Sequence, residues 1–595
     1  MKMKKIKLKM KRYVFPLAAG LMVAAGVLAQ QQDSLLRRQM ELERQFNPTL
    51  KDAAKISSLP ALPEPVSRKP SMEYASWAGR TNPPFEIAIP RPASIMTAIP
   101  FSTERGHFFM NAGNYANVDG ALGYRLVDTE NDKLNVRVLH HSTNGDVKYA
   151  QQSDPATITA YFMDTKGGAE YSHLFDAYRL NLQASYLHSK FNYYGNTFGK
   201  DRLFDDEKQR LEVFQLSAGM DAFEWEEDKY RGYVDFMHFS SKFGCEPGEK
   251  GTAGSQLEAM AGMTRPFDGG SQWGVDGKVK GVFYNRPSGI KNYLLVDAAP
   301  FVLFDGLNWE TRLGADVQLQ FGDNDMVRVA PNVEFTLMMT DKSSFYANVK
   351  GGIDDNTYLN VMRESRYYKP GVAVKPSFTY MDVEAGIKMG ELEGFRLDVF
   401  GGFRKTDDAH FPVMDQVLQS VPETEIETEI ETDSETALTE WVVKEPLVPA
   451  YGDLSHSHIG GLIRWNIWAP LDISFRLKKN FYSVKEARLG DGKIEDAEAW
   501  NMPDVETDVR VVIQTSNEMK FTVDYYLASG RWSFFNGENV KMKNINDLNA
   551  SMIYNITPAI SLNVRVHNIL SKKYDIWYGY PAQTINILGG FAFQF

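Results

Sequence analysis

A single cysteine, Cys245, stands among 595 residues, so no intrachain disulfide can form. It sits in the loop-like stretch Phe243-Gly244-Cys245-Glu246-Pro247-Gly248 with no histidine beside it, and reads as incidental. Beyond residue 29 no apolar run approaches the roughly 18 residues of a membrane helix, which excludes a helical membrane protein. Positive charge is also scarce. The chain carries −11, and removing a leader with seven cations and no acid leaves −18. That balance disfavours nucleic acid or anionic lipid headgroups as partners, and no nucleic acid is expected. Neither a nucleophile elbow nor a phosphate-cradling glycine loop is present. A lipase on a membrane barrel would need Ser, His and an orienting polar group together near its outer rim. His140 and His141 are adjacent, so they point to opposite faces of a strand. His456 and His458 share a face near the outer end of a strand, one ligand short of a metal site. No enzyme activity, cofactor or metal is expected.

What is present begins with a secretory leader. Lys2, Lys4, Lys5, Lys7, Lys9, Lys11 and Arg12 precede the apolar Val14–Leu28, and Val27 and Ala29 suit cleavage before Gln30. Residues 30–100 follow as a proline-rich segment without strand alternation, expected to be an extended periplasmic tether. Within it Met40, Leu42 and Arg44 alternate as a short strand would, a candidate for adding to the sheet edge of a periplasmic partner.

From about Arg105 the chain reads as strands. Leu134-Asn135-Val136-Arg137-Val138-Leu139 and Ile560-Ser561-Leu562-Asn563-Val564-Arg565-Val566 alternate apolar with polar side chains, as lipid and lumen faces of a barrel require. The chain ends on Phe591, Phe593 and Phe595, all on one face, as a lipid-facing closing strand would. Tight turns near 129–131, 175–176, 224–227, 268–270, 304–306, 341–343, 391–393, 469–470, 515–517 and 555–558 alternate with mostly longer connections. The alternation gives an all-β fold, a transmembrane antiparallel up-and-down barrel of about 22 strands over residues 101–595. The longest expected loop, about 406–455, holds the repeat Glu423-Thr424-Glu425-Ile426-Glu427-Thr428-Glu429-Ile430-Glu431-Thr432-Asp433. No glycine occurs between Phe403 and Tyr451, so the sharp turn of a Ca²⁺ loop is missing and the insert reads as a solvated external loop.

One stretch carries a resemblance. Asn568, Leu570 and Tyr574, then Gly579-Tyr580-Pro581, then the terminal phenylalanine strand, look like the C-terminal end of TonB-dependent receptors. Those receptors have 22-stranded barrels, and the resemblance covers about Arg105–Phe595. The family also carries a globular plug ahead of the barrel, whereas only about 70 proline-rich residues stand here. The resemblance therefore implies a plug-less, receptor-like transport role for an unidentified solute, without the plug on which TonB would pull. An unplugged barrel of this size would leak, so loops, tether or another subunit must fill it. A second reading stays open: a structural or assembly component of an outer-membrane complex, docking periplasmic partners through residues 30–100. Either way the expected location is the Gram-negative outer membrane, with the N-terminal segment periplasmic and the long loops outside. The expected partners are membrane lipid, the barrel-assembly machinery and a periplasmic protein.

Overall fold

The computed structural model describes residues 104–595 apart from 151–156, 196–207, 224–227, 245–248, 268–269, 286–289, 323–325, 373, 391–393, 420–440, 467, 469 and 536. The leader, the tether with Met40, Leu42 and Arg44, Cys245 and the acidic repeat lie outside the described residues.

Twenty-two antiparallel strands form one closed sheet, with the two-residue piece Gly492–Lys493 added beside Leu471–Leu489. Each strand pairs with its sequence neighbour, and the ring closes where the first strand, Gly106–Gly113, meets the last, Asn586–Gln594. Phe108 lies opposite Phe593 and Met110 opposite Phe591, while Leu562 lies opposite Phe591 on the other side. The C-terminal carbonyl finishes the seam: Phe595 O accepts the N–H groups of Arg105 and Gly106, each at 2.7 Å. Glycines let the seam shut. A Cβ on Gly106 would stand 2.4 Å from the Phe595 ring, one on Gly113 2.1 Å from the Ile587 carbonyl, and one on Gly590 2.0 Å from the Met110 carbonyl.

Alternation sorts the side chains as expected. Leu562 and Val564 point outward, whereas Asn563 and Arg565, which alternate with them, point into the ring and are buried. Phe591, Phe593 and Phe595 are 46%, 39% and 45% exposed on the outer wall, in a band with Leu122, Val138, Phe214, Leu313 and Ile459. So continuous an apolar surface belongs against lipid. Tyr230, Trp273, Trp309, Trp465 and Trp468 flank the band toward one end, as an interfacial aromatic girdle does.

Connections at that end, the turn end, are short: 129–131, 175–177, 223–228, 267–271, 306–308, 341–342, 390–394, 466–470, 515–518 and 556–559. They match the ten expected turns. The opposite, loop end carries 114–117, 149–156, 192–208, 242–252, 285–292, 322–325, 355–376, 420–440, 490–504, 530–544 and 568–585. The first of these, Asn114–Ala116, is a single 3-10 turn and follows the strand expected near 106–113.

The long expected loop, 406–455, is corrected. Phe395–Gln419 and Trp441–Trp465 are strands of 25 residues each, so only 420–440 connects them. At about 3.3 Å per residue such strands run roughly 80 Å, against the 9–11 residues a membrane crossing needs. Polar Lys405-Thr406-Asp407-Asp408 lies within the first of them, because beyond the lipid a ribbon needs no apolar face and the ladder simply continues. It does so through bulges at Thr406/Ala409 and Tyr451/Asp453, with Asp408 at φ 51°. His456 and His458 consequently lie nine and seven residues from the turn end of their strand, deep in the barrel, not near its outer end.

Candidate functional site

At the loop end the chain's own connections pack against one another. Segment 355–376 contains the helix Tyr358–Glu364, capped by Thr357, whose hydroxyl accepts the N–H of Asn360 at 3.1 Å. The helix buries Tyr358, Leu359, Val361 and Met362 against residues of distant strands. Tyr358 stacks on Phe239 at 5.8 Å and donates its backbone N–H to the Tyr284 hydroxyl. Just past the helix, Arg366 reaches Asp164, Nη1 to Oδ1 at 3.1 Å and Nη2 to Oδ2 at 2.7 Å. Its guanidinium lies over Phe162 at 4.6 Å. A two-pronged, planar contact of this kind fixes orientation as well as charge. Lys280 ties the start of the same segment to the wall through Asp355.

The last loop meets this segment from the other side. Asn568, at φ 48°, folds the loop back on itself: Nδ2 donates to the carbonyls of Lys572 and Gln583, and Oδ1 accepts the Lys572 N–H. Buried Arg531 donates to the carbonyls of Asp575 and Ile576. Gly579 has φ 82°, and a Cβ there would stand 2.9 Å from the Gly195 carbonyl, so only glycine fits without strain. Tyr580 then stacks on Tyr367 with centroids 4.1 Å apart, and both meet Tyr194 edge-on. Tyr194 donates its hydroxyl to the Pro581 carbonyl, and Tyr193 donates to the Tyr368 carbonyl.

The tall ribbon supports the contact. The Lys369 N–H donates to Leu447 O at 2.7 Å and the Leu447 N–H to Tyr367 O at 3.0 Å. Beside them, buried Trp500 packs against Phe411 and Phe534. Segments 355–376 and 568–585, Tyr193–Tyr194 and the ribbon thus form one clasp. Burial pushes the phenols of Tyr194, Tyr368, Tyr574 and Tyr580 well above the ordinary tyrosine range, so these four hydroxyls are neutral.

The wall behind the clasp is polar. One cross-strand row runs Ser189, Asp164, His141, Asp119 and Asn111, then Gly590 and Asn563 across the seam. His141 Nε2 stands 3.2 Å from Asp119, and Arg565 3.6 Å from the same carboxylate. Farther round, Asp276 accepts from both Arg231 and Arg312, and Arg404 reaches Asp354. His456 and His458 face each other at 5.2 Å and hold Asn480 and Glu384 respectively. Among the described residues no three of His, Cys, Asp or Glu come together as a metal site.

Of the residues singled out in the sequence, Asn568, Tyr574, Gly579, Tyr580 and Pro581 meet in the last loop, while Leu570 is 43% exposed. Phe591, Phe593 and Phe595 stand apart, on the outer wall of the seam. The sequence reading missed Arg366, Tyr367, Tyr194 and Arg531. The doublets Tyr193-Tyr194 and Tyr367-Tyr368, in otherwise polar connections, were the available signal.

No family model matches the sequence, and no curated protein matches it. Solved structures do match in shape. The FrpB iron transporter from Neisseria meningitidis superposes with a TM-score of 0.61 at 9% identity, over 82% of this chain and 81% of that one. The siderophore receptor PiuA from Acinetobacter baumannii gives 0.57 at 11% identity, over 83% and 82%. The ferric-catecholate import receptor Fiu from Escherichia coli K12 gives 0.57 at 10% identity, over 83% and 82%. At such identities the likeness is one of fold. The 22-stranded closed barrel implied by the resemblance to TonB-dependent receptors is the fold of this chain.

Proposed function

We propose that this chain is a plug-less outer-membrane transport receptor whose mouth is closed by its own clasp. Its turn end faces the periplasm and its loop end the outside. The observation that carries this reading is the stack of Tyr367 on Tyr580 above a wall of mixed charge. A barrel of 22 strands is too wide to be filled by wall side chains alone. Packing loops across it stops the leak without a separate plug. The charged wall offers a wetted path once the clasp parts, with both signs available to a polar solute. The shared fold with proteins described as iron transporter and siderophore receptors supports a transport role. Planar-bilayer recording of the purified protein tests it. Brief, rare openings are expected, and large steady ohmic channels from the unmodified protein would sink the self-closing reading.

A further inference from the structure

The outer wall carries a chain of polar groups that solute transport does not use. His140 and Ser142 are two residues apart on the strand Asp132–Lys148, so both side chains leave the same outward face, directly above Val138. Thr165, on the neighbouring strand Thr157–Leu174, is the cross-strand partner of His140. Ser142 Oγ lies 3.1 Å from His140 Nε2, and His140 Nδ1 lies 2.8 Å from Thr165 Oγ1. The imidazole is therefore held between two hydroxyls. With its proton on Nδ1, donated to Thr165, the bare Nε2 is aimed at the serine. A nucleophile, a base and a group that fixes the tautomer of the base are the parts acyl transfer uses, whatever fold carries them.

The level of the site on the wall says what it would meet. The register row containing Val138, Tyr186 and Phe214 is apolar. The next row up holds His140, Thr165, His188 and Glu212, and the one above it Ser142, Met163, Lys190 and Arg210. Lys242 adjoins Arg210 through its N–H to the Arg210 carbonyl, and Lys208 sits 3.4 Å over the Tyr161 ring. Glu212 partly offsets the cations, standing 3.6 Å from Arg210, 3.5 Å from His188 and accepting from the Tyr186 hydroxyl. Going up the wall, the order is apolar, then His140, Thr165, His188 and Glu212, then a row with Ser142 at one side and the basic Lys190 and Arg210 at the other. A glycerophospholipid lying obliquely, with its acyl chains on the apolar row, brings an ester to Ser142 and its phosphate toward Lys190. Lys190 is two strands from Ser142, about 10 Å at 4.8 Å per strand, and its long side chain shortens that gap toward the smaller span between an acyl ester and the phosphate of one lipid.

We propose that Ser142, His140 and Thr165 form a hydrolase site for acyl esters of membrane phospholipid, with Lys190 and Arg210 holding the lipid phosphate. Ser142 Oγ attacks the ester carbonyl carbon while Nε2 takes its proton. The tetrahedral adduct expels the lipid alkoxide, which receives that proton, and leaves an acyl-serine. Water, deprotonated by Nε2, attacks the acyl carbon, and the proton returns to Ser142 as the fatty acid departs. Ser142 and His140 are the catalytic residues, and Thr165 is a positioning residue. The site lies on the outer wall, so it stands or falls independently of the clasp and of which end faces outward.

Purified full-length protein in detergent, given dioleoylphosphatidylglycerol in mixed micelles, is expected to release fatty acid and to bind a fluorophosphonate at Ser142. Ser142→Ala should abolish the labelling and lower release at least a hundredfold. Thr165→Val should lower kcat about tenfold with little change in KM and alter the pH profile, and Thr165→Ser should restore both. Lys190→Gln with Arg210→Gln should remove any preference for the phospholipid over phosphate-free dioleoylglycerol. Retained heat-modifiable migration in gels establishes that each variant is folded. Absence of Ser142 labelling in the unmodified protein, or equal fatty-acid release by Ser142→Ala, overturns the proposal. An unchanged lipid preference in the double variant overturns the phosphate assignment.

Discussion

The ring of Tyr367 lies nearly parallel to that of Tyr580, 4.1 Å between centroids, although 213 positions separate them in the chain. Neither strand register nor local sequence brings them together; each is delivered by a different loop. Tyr367→Ala should weaken the clasp by about 3 kcal/mol, the usual range for truncating a buried aromatic, or on the order of a hundredfold in the closed-to-open ratio. Single-channel recordings should show longer and more frequent openings. Unchanged open probability would remove Tyr367 from the gate.

Arg366 and Asp164 make the second fastening. Arg366→Ala leaves a carboxylate behind the clasp without its cation and should cost about 2 kcal/mol. Adding Asp164→Asn should recover part of that loss, since the stranded charge is gone. Conductance of the two single variants and the double variant measures the coupling. Strict additivity would show that the two groups act separately.

Seam closure can be tested with two adjacent glycines. A Cβ at Gly590 would fall 2.0 Å from the Met110 carbonyl, whereas one at Gly589 meets nothing within 4 Å. Gly590→Ala should sharply lower the folded fraction recovered in detergent, and Gly589→Ala should leave it near the starting level. Heat-modifiable gel migration distinguishes them. Equal yields would mean that the first and last strands shift enough to absorb a methyl group.

The clasp should open in alkali. The phenols of Tyr194, Tyr368, Tyr574 and Tyr580 are held neutral by burial, well above their ordinary value of 10.0. An acid whose folded pKa is raised contributes no pH dependence below its unfolded pKa. Stability is lost as pH climbs from there toward the folded value, because the released phenols ionise and favour the open state. Conductance should therefore be flat to about pH 10 and rise above it, together with tyrosinate absorbance. A rise centred near neutrality would point to other groups.

Much of the barrel was legible because its physics is local. Period-two alternation such as Leu562, Asn563, Val564, Arg565 is imposed by lipid on one side and water on the other, and the turns at 341–342 and 556–559 are short enough to read directly. The ribbon was misread because Lys405-Thr406-Asp407-Asp408 looks like a strand end when every strand is assumed to stop at the membrane. The clasp was half legible. Asn568, Gly579 and Tyr580 stood out by pattern, but the meeting of Tyr580 with Tyr367 and Tyr194 is a contact between loops hundreds of residues apart. Ser142 shows the same limit on the outer wall. Its spacing from His140 is visible in the sequence, but Thr165 enters only through cross-strand register.

An even number of strands brings the chain into the ring and out of it at the same end, so everything before Glu104 is joined to the first strand at its turn end, beside Phe595. The ring can therefore be loaded mechanically from that end. A pull along Gly106–Gly113 strains its ladders to both neighbours in shear, with all bonds sharing the force. A sideways pull would peel them one at a time, starting where the Phe595 carbonyl holds Arg105 and Gly106. Any partner that draws on the preceding segment thus meets a stiff anchor or a weak one according to its direction of pull alone.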